Sequence, residues 1–205
     1  MESGNNKPSE SNNLSHEGLL QIFRESGALL EGHFLLTSGK HSAQYMQCAQ
    51  VLQYPHPAAQ LGQQLAQAWQ GKGVQTVIGP AMGGVLVAHE VGKALGARAL
   101  FTERENGIMR LRRSFQLAPG ERVLVVEDVI TTGGSVKEVL GVVHEYGAVP
   151  LGVGVLVDRS GGRVDFGIPL SSLLRLEIAS YAPEDCPLCQ QGLPWMKPGS
   201  RVQNP

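Results

Sequence analysis

Residues 122–136 read RVLVVEDVITTGGSV, and this one stretch decides the fold. Its first half, Val123–Val126, is a short, fully apolar run of β-branched and Leu residues, the pattern of a strand buried on both faces. Two consecutive carboxylates, Glu127 and Asp128, then stand where such a strand would end, the edge at which ligands of open α/β sheets sit. Thr131, Thr132, Gly133, Gly134 and Ser135 follow, directly before a helical stretch over Ser135–Tyr146. Small and glycine residues let backbone N–H groups approach an anion closely, and the helix adds the positive end of its dipole. An acid pair beside a phosphate cradle suits a ribose 5-phosphate with free hydroxyls. The stretch has no GxxxxGK[ST] pattern, so a mononucleotide P-loop is excluded.

Outward from this segment the same alternation repeats. The apolar runs VQTVI (74–78), RALF (98–101) and LGVGVLV (151–157) alternate with helical stretches such as Val85–Leu95. A parallel sheet covered by helices on both faces is expected. Before residue 74 the pattern differs. A helix is expected from the N-cap Ser15, with Leu19, Ile22 and Phe23 on one face and an end near Gly27. A hairpin follows in HFLLTSGKHSAQYMQ, turning at Ser38 and Gly39. A second helix is expected to start near Pro57 and to carry Leu61, Leu65 and Trp69 on one stripe.

At 205 residues the chain suits one substantial domain with an accessory lobe. Residues 1–14, rich in Asn, Ser and Glu, are expected to form a disordered tail, and residues 181–205, rich in Pro and Gly, an irregular C-terminal extension. With 17 Lys+Arg against 18 Asp+Glu the formal charge is -1, which argues against a general nucleic-acid binder. No apolar run is long enough to span a membrane, and the polar start does not have a signal-peptide pattern, so a cytoplasmic protein is expected. Three cysteines, Cys48, Cys186 and Cys189, are too few for a disulfide framework.

The stretch 122–136 resembles the phosphoribosyl pyrophosphate (PRPP) signature of the type I phosphoribosyltransferases. GHFLLTSGKHSAQY (32–45), GPAMGG (79–84), FTERENGIMRLRRSF (101–115) and VDRSGG (157–162) are similar, in order and spacing, to the bacterial orotate phosphoribosyltransferases. The resemblance runs from Ser15 to Arg201. It implies a type I phosphoribosyltransferase-like α/β fold with a mostly parallel central sheet. A hood would come from about residues 15–55 and the C-terminal segment, and the PRPP-binding core from about 56–180. It implies a pentosyltransferase that joins orotate to PRPP with Mg²⁺ in pyrimidine nucleotide (UMP) synthesis. Family members are typically homodimers whose mobile loop reaches the partner's site.

By the same resemblance Glu127 and Asp128 hold the ribose hydroxyls, Val129, Ile130, Thr131, Thr132, Gly133, Gly134 and Ser135 hold the 5-phosphate, and Thr131 and Arg159 meet orotate. For Arg159 there is an independent reason, because a guanidinium binds a carboxylate through two parallel hydrogen bonds. The loop Ala81, Met82 and Gly83 would meet pyrophosphate through its main chain. Better-known members have lysine where Gly83 stands, and some have it at Thr37 and, with a histidine, in the mobile loop; this chain has none of these. It has instead Arg104, Arg110, Arg112 and Arg113 within ten residues. Arg104 is placed among the catalytic and PRPP-binding residues, although a solvated charged hairpin is an equal reading for any single arginine. If Ile108–Phe115 is extended, Arg110 and Arg112 point to one face and Arg113 to the other.

No protein metal site is expected, Mg²⁺ being carried mainly by PRPP. His33, His41, His89 and His144 lack metal-like spacing. Cys186-Pro-Leu-Cys189 is half of a zinc site with only Cys48 left to contribute, so tail packing is the preferred reading. Three rival functions stay open: a phosphoribosyltransferase for a purine base or uracil, a PRPP-fold regulator that binds nucleic acid, and an inactive relative.

Overall fold

The computed structural model describes residues 13–36 and 38–198. The expected disorder of the first residues and the lysine-to-threonine departure at Thr37 therefore lie outside the described residues, except that Asn13 and Leu14 are placed by hydrogen bonds to Gln64. Helix α1 (His16–Glu25) starts as expected, with Ser15 Oγ accepting the Gly18 N–H, and buries Leu19 and Phe23. Strands β1 (Leu29–Leu35) and β2 (His41–Met46) form the antiparallel hairpin, as a two-stranded sheet of its own. A short α2 (Ala49–Leu52) leads into α3 (Pro55–Gln67), which begins at Pro55 rather than Pro57. Trp69 lies just past its end, yet Leu61, Leu65 and Trp69 are all buried.

The main sheet contains β3 (Thr76–Pro80), β4 (Arg98–Glu105), β5 (Ile108–Leu111), β6 (Arg122–Ile130), β7 (Val149–Asp158) and β8 (Leu170–Arg175) in the spatial order β5-β4-β3-β6-β7-β8. All neighbours are parallel except β4 and β5. Helix α4 (Gly83–Leu95) joins β3 to β4, and α5 (Gly134–Glu145) joins β6 to β7. The period of two along β6 divides the interior. Leu124 and Val126 pack with Leu61 and Leu65 of α3 and Val87 and Val91 of α4, whereas Val123 and Val125 pack with Val136, Val139 and Val143 of α5. Both faces are apolar because both are covered, as the unbroken apolar runs require.

Three local expectations need correction. Strand β8 was not foreseen, since its two central serines and half-buried residues break the apolar signal. The arm 108–115 is extended only to Leu111; Arg113 and Ser114 adopt positive φ of 60° and 57°, so the chain turns there and the strand-face argument does not reach Arg112 or Arg113. The C-terminal extension is not wholly irregular: a 3₁₀ turn (Pro183–Asp185) and α6 (Pro187–Gln190) precede Met196, which pairs with Phe34 of β1, while Tyr181 pairs with His41 of β2. Tail and hairpin together form the hood.

The sheet's outer edge is keyed by Trp69. Its indole N–H donates to Ser171 Oγ of β8 at 2.9 Å, and its ring lies so close to β7 that a Cβ on Gly152 would sit 2.1 Å from it. Gly152→Ala is expected to lower stability by about 1–3 kcal/mol through overpacking. Gly141→Ala, on the open face of α5 with nothing within 4 Å, should instead raise it by about 0.5–1 kcal/mol. Urea denaturation of the two variants tests this pair, and a Gly152→Ala midpoint equal to the parent's would count against the packing argument.

Candidate active site

The centre of the site hangs from the carboxyl ends of β3, β6 and β7. The pleat of β6 sends Glu127 and Asp128 to opposite faces. Asp128 continues the α4 side: a Cβ on Gly83 would lie 2.2 Å from Asp128 Oδ2, so the start of α4 and the acid are in direct apposition. Gly79 and Gly84 allow that approach, since a Cβ on Gly79 would meet the Gly84 carbonyl at 2.4 Å. The loop between them carries a cis Ala81–Met82 peptide, and Ala81 N–H donates to the Thr102 carbonyl at 2.8 Å. Ala81, Met82 and Gly83 thus border Asp128.

Glu127 takes the α5 side. With Val129, Ile130, Thr131, Thr132, Gly133, Gly134, Ser135 and Val136 it lines a small cup of about 80 Å³. Gly133 adopts φ +73° at the N-cap of α5, and a Cβ there would strike Val164 and Phe166. With no side chain at that position to cap the helix, the first-turn amides face the cup, a ready site for an anion of phosphate size. The residues expected to cradle a phosphate thus line one cup.

The two acids differ in environment. Asp128 Oδ1 accepts the Val129 N–H at 2.8 Å, and Glu127 Oε1 accepts the Asp128 N–H at 3.0 Å. Glu127 is 8% exposed, and burial, followed by the neighbouring Asp128 charge, holds its carboxyl far above the ordinary range. Cys48, on α2's leading edge, lies with its Sγ 3.8 Å from the Asp128 carbonyl; burial and the two acids push its thiol up as well, so it stays protonated and unreactive.

Arg159 follows β7, with its N–H donating to the Ile130 carbonyl at 2.9 Å, which sets it beside Thr131. Its guanidinium is partly buried near Tyr45 and Cys48, and burial lowers its proton affinity against their opposing influence. Among the described residues three buried side-chain atoms lack hydrogen-bond partners: Arg159 Nε, Ser160 Oγ and Thr102 Oγ1. All three belong to the same edge of the sheet, which is where a polar ligand would satisfy them. Tyr45, Cys48 and Ser160 were not singled out from sequence, because only the hairpin's placement over the sheet brings the first two to Arg159.

Each arginine of the cluster is drawn into an ion pair. Arg104 is tied to Glu138 of α5 at 2.6 Å, Arg113 to Glu103 at 2.9 Å, and Arg110 and Arg112 flank Glu105 at 4.0 and 3.3 Å. Four guanidiniums meet three carboxylates, leaving one net positive charge. Apart from the half-buried Glu103 all are well exposed, so these pairs are weak and exchangeable. Arg104 stands closest in connection to the phosphate cup, through α5.

Comparison with known proteins adds to this geometry. Residues 56–167 match the model of the phosphoribosyl transferase domain. The chain is 60% identical over 188 residues to the orotate phosphoribosyltransferase of Desulforamulus reducens, covering 92% of this chain and 98% of that protein. It is 56% identical to that of Thermotoga maritima, covering 88% and 97%. Among solved structures it is similar to orotate phosphoribosyltransferase from Aeropyrum pernix, at 27% identity and a TM-score of 0.64, covering 78% of this chain and 94% of that one.

The environment of Glu127 sets a pH dependence. Its folded-state pKa is raised, so the stability linked to its protonated form is complete below the unfolded carboxyl pKa and is lost as pH rises toward the folded value. Glu127→Gln removes that penalty. In the ligand-free protein its Tm should exceed the parent's by a margin that widens from pH 5 to pH 9, corresponding to on the order of 1 kcal/mol for each pH unit. A margin that is constant or narrows over this range would show that Glu127 is already ionised in the fold.

Proposed function

The chain belongs to the orotate phosphoribosyltransferases, and from that premise we propose how its own residues divide the transfer of ribose 5-phosphate from PRPP to orotate, giving orotidine 5′-phosphate and pyrophosphate. The observation that carries the proposal is the convergence at the carboxyl end of the sheet of an anion cup, an acid held on the other face of the same strand and an unsatisfied, partly buried guanidinium.

The cup formed by Val129–Ser135 receives the 5-phosphate through main-chain amides and the α5 dipole. Asp128, with Glu127 behind it, orients the ribose hydroxyls, and the Ala81–Gly83 loop meets pyrophosphate by its main chain. Thr131 and Arg159 take orotate, the guanidinium pairing with its carboxylate; a cation already partly removed from water gains more from such a partner than an exposed one.

Displacement at the anomeric carbon develops positive charge on the sugar and negative charge on the leaving pyrophosphate, as in other glycosyl transfers. The protein's part is electrostatic and positional. Asp128 faces the sugar with a carboxylate, and the β4–β5 arm can exchange its Glu103, Glu105 and Glu138 partners for pyrophosphate, freeing Arg104 and its neighbours to cover the site and exclude water. No side chain serves as a nucleophile, in keeping with the protonated Cys48.

Mg²⁺ is the expected cofactor. Asp128 would offer it hard oxygen donors, while the family resemblance implies that the ion is carried mainly by PRPP. When bound it supplies positive charge to the leaving group. The exposed Met82 and Leu86 beside the site, and Ile108 at the tip of the arm, support a homodimer in which the arm reaches the partner's site. Work on PRPP in the cytoplasm is in keeping with a chain in which no described helix is long and apolar enough to cross a membrane.

The test is loss of orotate absorbance on mixing protein, PRPP and Mg²⁺, with uracil, hypoxanthine, guanine and adenine in parallel. Orotate alone should be consumed, and only with both PRPP and Mg²⁺ present. Arg159→Lys should raise KM for orotate about tenfold or more, the loss of one bidentate pair, while KM for PRPP stays within about twofold. Equal loss of both, or an unchanged orotate KM, would remove Arg159 from the base pocket.

A further inference from the structure

The hood holds a second constellation that the transfer reaction does not use. His33 from β1, His41 from β2, and Cys186 and Cys189 at the start of α6 converge, with one ligand-capable atom from each lying within 4.8 Å of all the others. His33 Nε2 lies 2.8 Å from His41 Nδ1, 3.5 Å from Cys186 Sγ and 3.7 Å from Cys189 Sγ, and Cys189 Sγ lies 3.1 Å from His41 Nδ1. We propose that these four side chains bind one zinc ion in a closed Cys₂His₂ site that staples the C-terminal segment to the hairpin.

The separations are those of ligands around one ion. For tetrahedral zinc with Zn–S near 2.3 Å and Zn–N near 2.0–2.1 Å, neighbouring nitrogens stand about 3.3 Å apart and nitrogen and sulfur about 3.5 Å apart. The observed contacts scatter about these values, the two imidazoles being somewhat closer. The donor set of two thiols and two imidazoles selects zinc over the oxygen-seeking Mg²⁺ and Ca²⁺. Cys186-Pro-Leu-Cys189 has the two-residue spacing of a zinc knuckle, and the histidines are brought side by side across the hairpin from positions 33 and 41.

An outer contact prepares the site. His33 Nδ1 lies 2.8 Å from the Leu193 carbonyl. A carbonyl only accepts, so Nδ1 carries the proton and the Nε2 lone pair points at the other three ligands, the arrangement of metal-bound histidine. His33, His41 and Cys186 are buried and Cys189 is half-buried, leaving no open coordination position of the catalytic kind. Both cysteines are free thiols rather than a disulfide.

The fold has a use for such a staple. Between residues 181 and 198, Cys186 is the one buried residue, so apolar burial contributes little to holding this segment. Its other ties include main-chain bonds at Tyr181 to His41 and at Met196 to His33 and Leu35, the His33–Leu193 bond and the packing of Trp195 on His41. A metal would supply the missing stability, and through β2 it would steady Tyr45 and Cys48 over Arg159.

The experiment is elemental analysis of the full chain, produced without a polyhistidine tag in zinc-containing medium. About one zinc per chain is expected, with loss of the metal in Cys186→Ser/Cys189→Ser. Stripping with a strong chelator should lower Tm by several degrees and open the C-terminal segment to protease; zinc should restore both, and Co²⁺ in its place should give the intense visible absorption of tetrahedral thiolate ligation. Should the double variant not fold, the zinc content of the parent protein and the Co²⁺ spectrum still decide. Parent protein without zinc, its cysteines free or joined in a disulfide by mass, or with another metal in its place, would overturn the proposal, as would a chelator-insensitive Tm.

Discussion

Gly83 and Asp128 occupy a gap too narrow for a methyl group. The first turn of α4 is pressed against the end of β6, with a hypothetical Cβ at position 83 only 2.2 Å from the Asp128 carboxylate, and Gly79 and Gly84 make the same sacrifice of side chains on the β3 side. This close approach sets the rest of the site. It joins the Ala81–Gly83 loop to the acid pair, fixes Asp128 against its own main chain, and leaves the opposite face of β6 free to form the phosphate cup with Glu127 at its back. It also gives a physical reason for the absence of lysine at position 83. Any side chain there would displace the carboxylate from its present place, so the positive charge for pyrophosphate must come from elsewhere.

The site is accordingly built from charges held in unequal surroundings. Glu127 is buried deeply enough to favour its proton, Arg159 is partly buried with an unsatisfied Nε, and the arginines of the β4–β5 arm sit in water with carboxylates beside them. The inner groups cannot relax toward solvent and so present a fixed field to substrate. The outer ones are exposed, weakly paired and able to change partners. Binding and positioning therefore rest on the sheet edge, and covering the leaving group rests on the arm.

The sequence made the core legible where one short segment carried its own chemistry. Residues 122–136 contain strand, acid pair, cradle and helix start in order, so no distant contact was needed to read them, and Gly133 occupies the positive-φ N-cap that its type suggests. Helices α4 and α5 fell within two residues of their expected starts for the same reason. Features created by juxtaposition were not legible. The ion pairs that tie up the arginines, the placement of Tyr45 and Cys48 near Arg159, and the meeting of His33 and His41 with cysteines some 150 residues away all depend on how the hood folds back. Linear spacing led toward Cys48 as the tail cysteines' companion, whereas Cys48 lies instead beside Asp128.

The central claim is that Asp128, pinned by Gly83 and the Val129 N–H, acts on the sugar rather than on the fold. Single-turnover transfer from PRPP to orotate by Asp128→Asn, alongside its thermal unfolding, tests this most directly. Loss of a charge-assisted contact made in the transition state should slow transfer about tenfold or more while Tm stays near the parent's. Transfer at the parent rate in a well-folded Asp128→Asn would contradict the account.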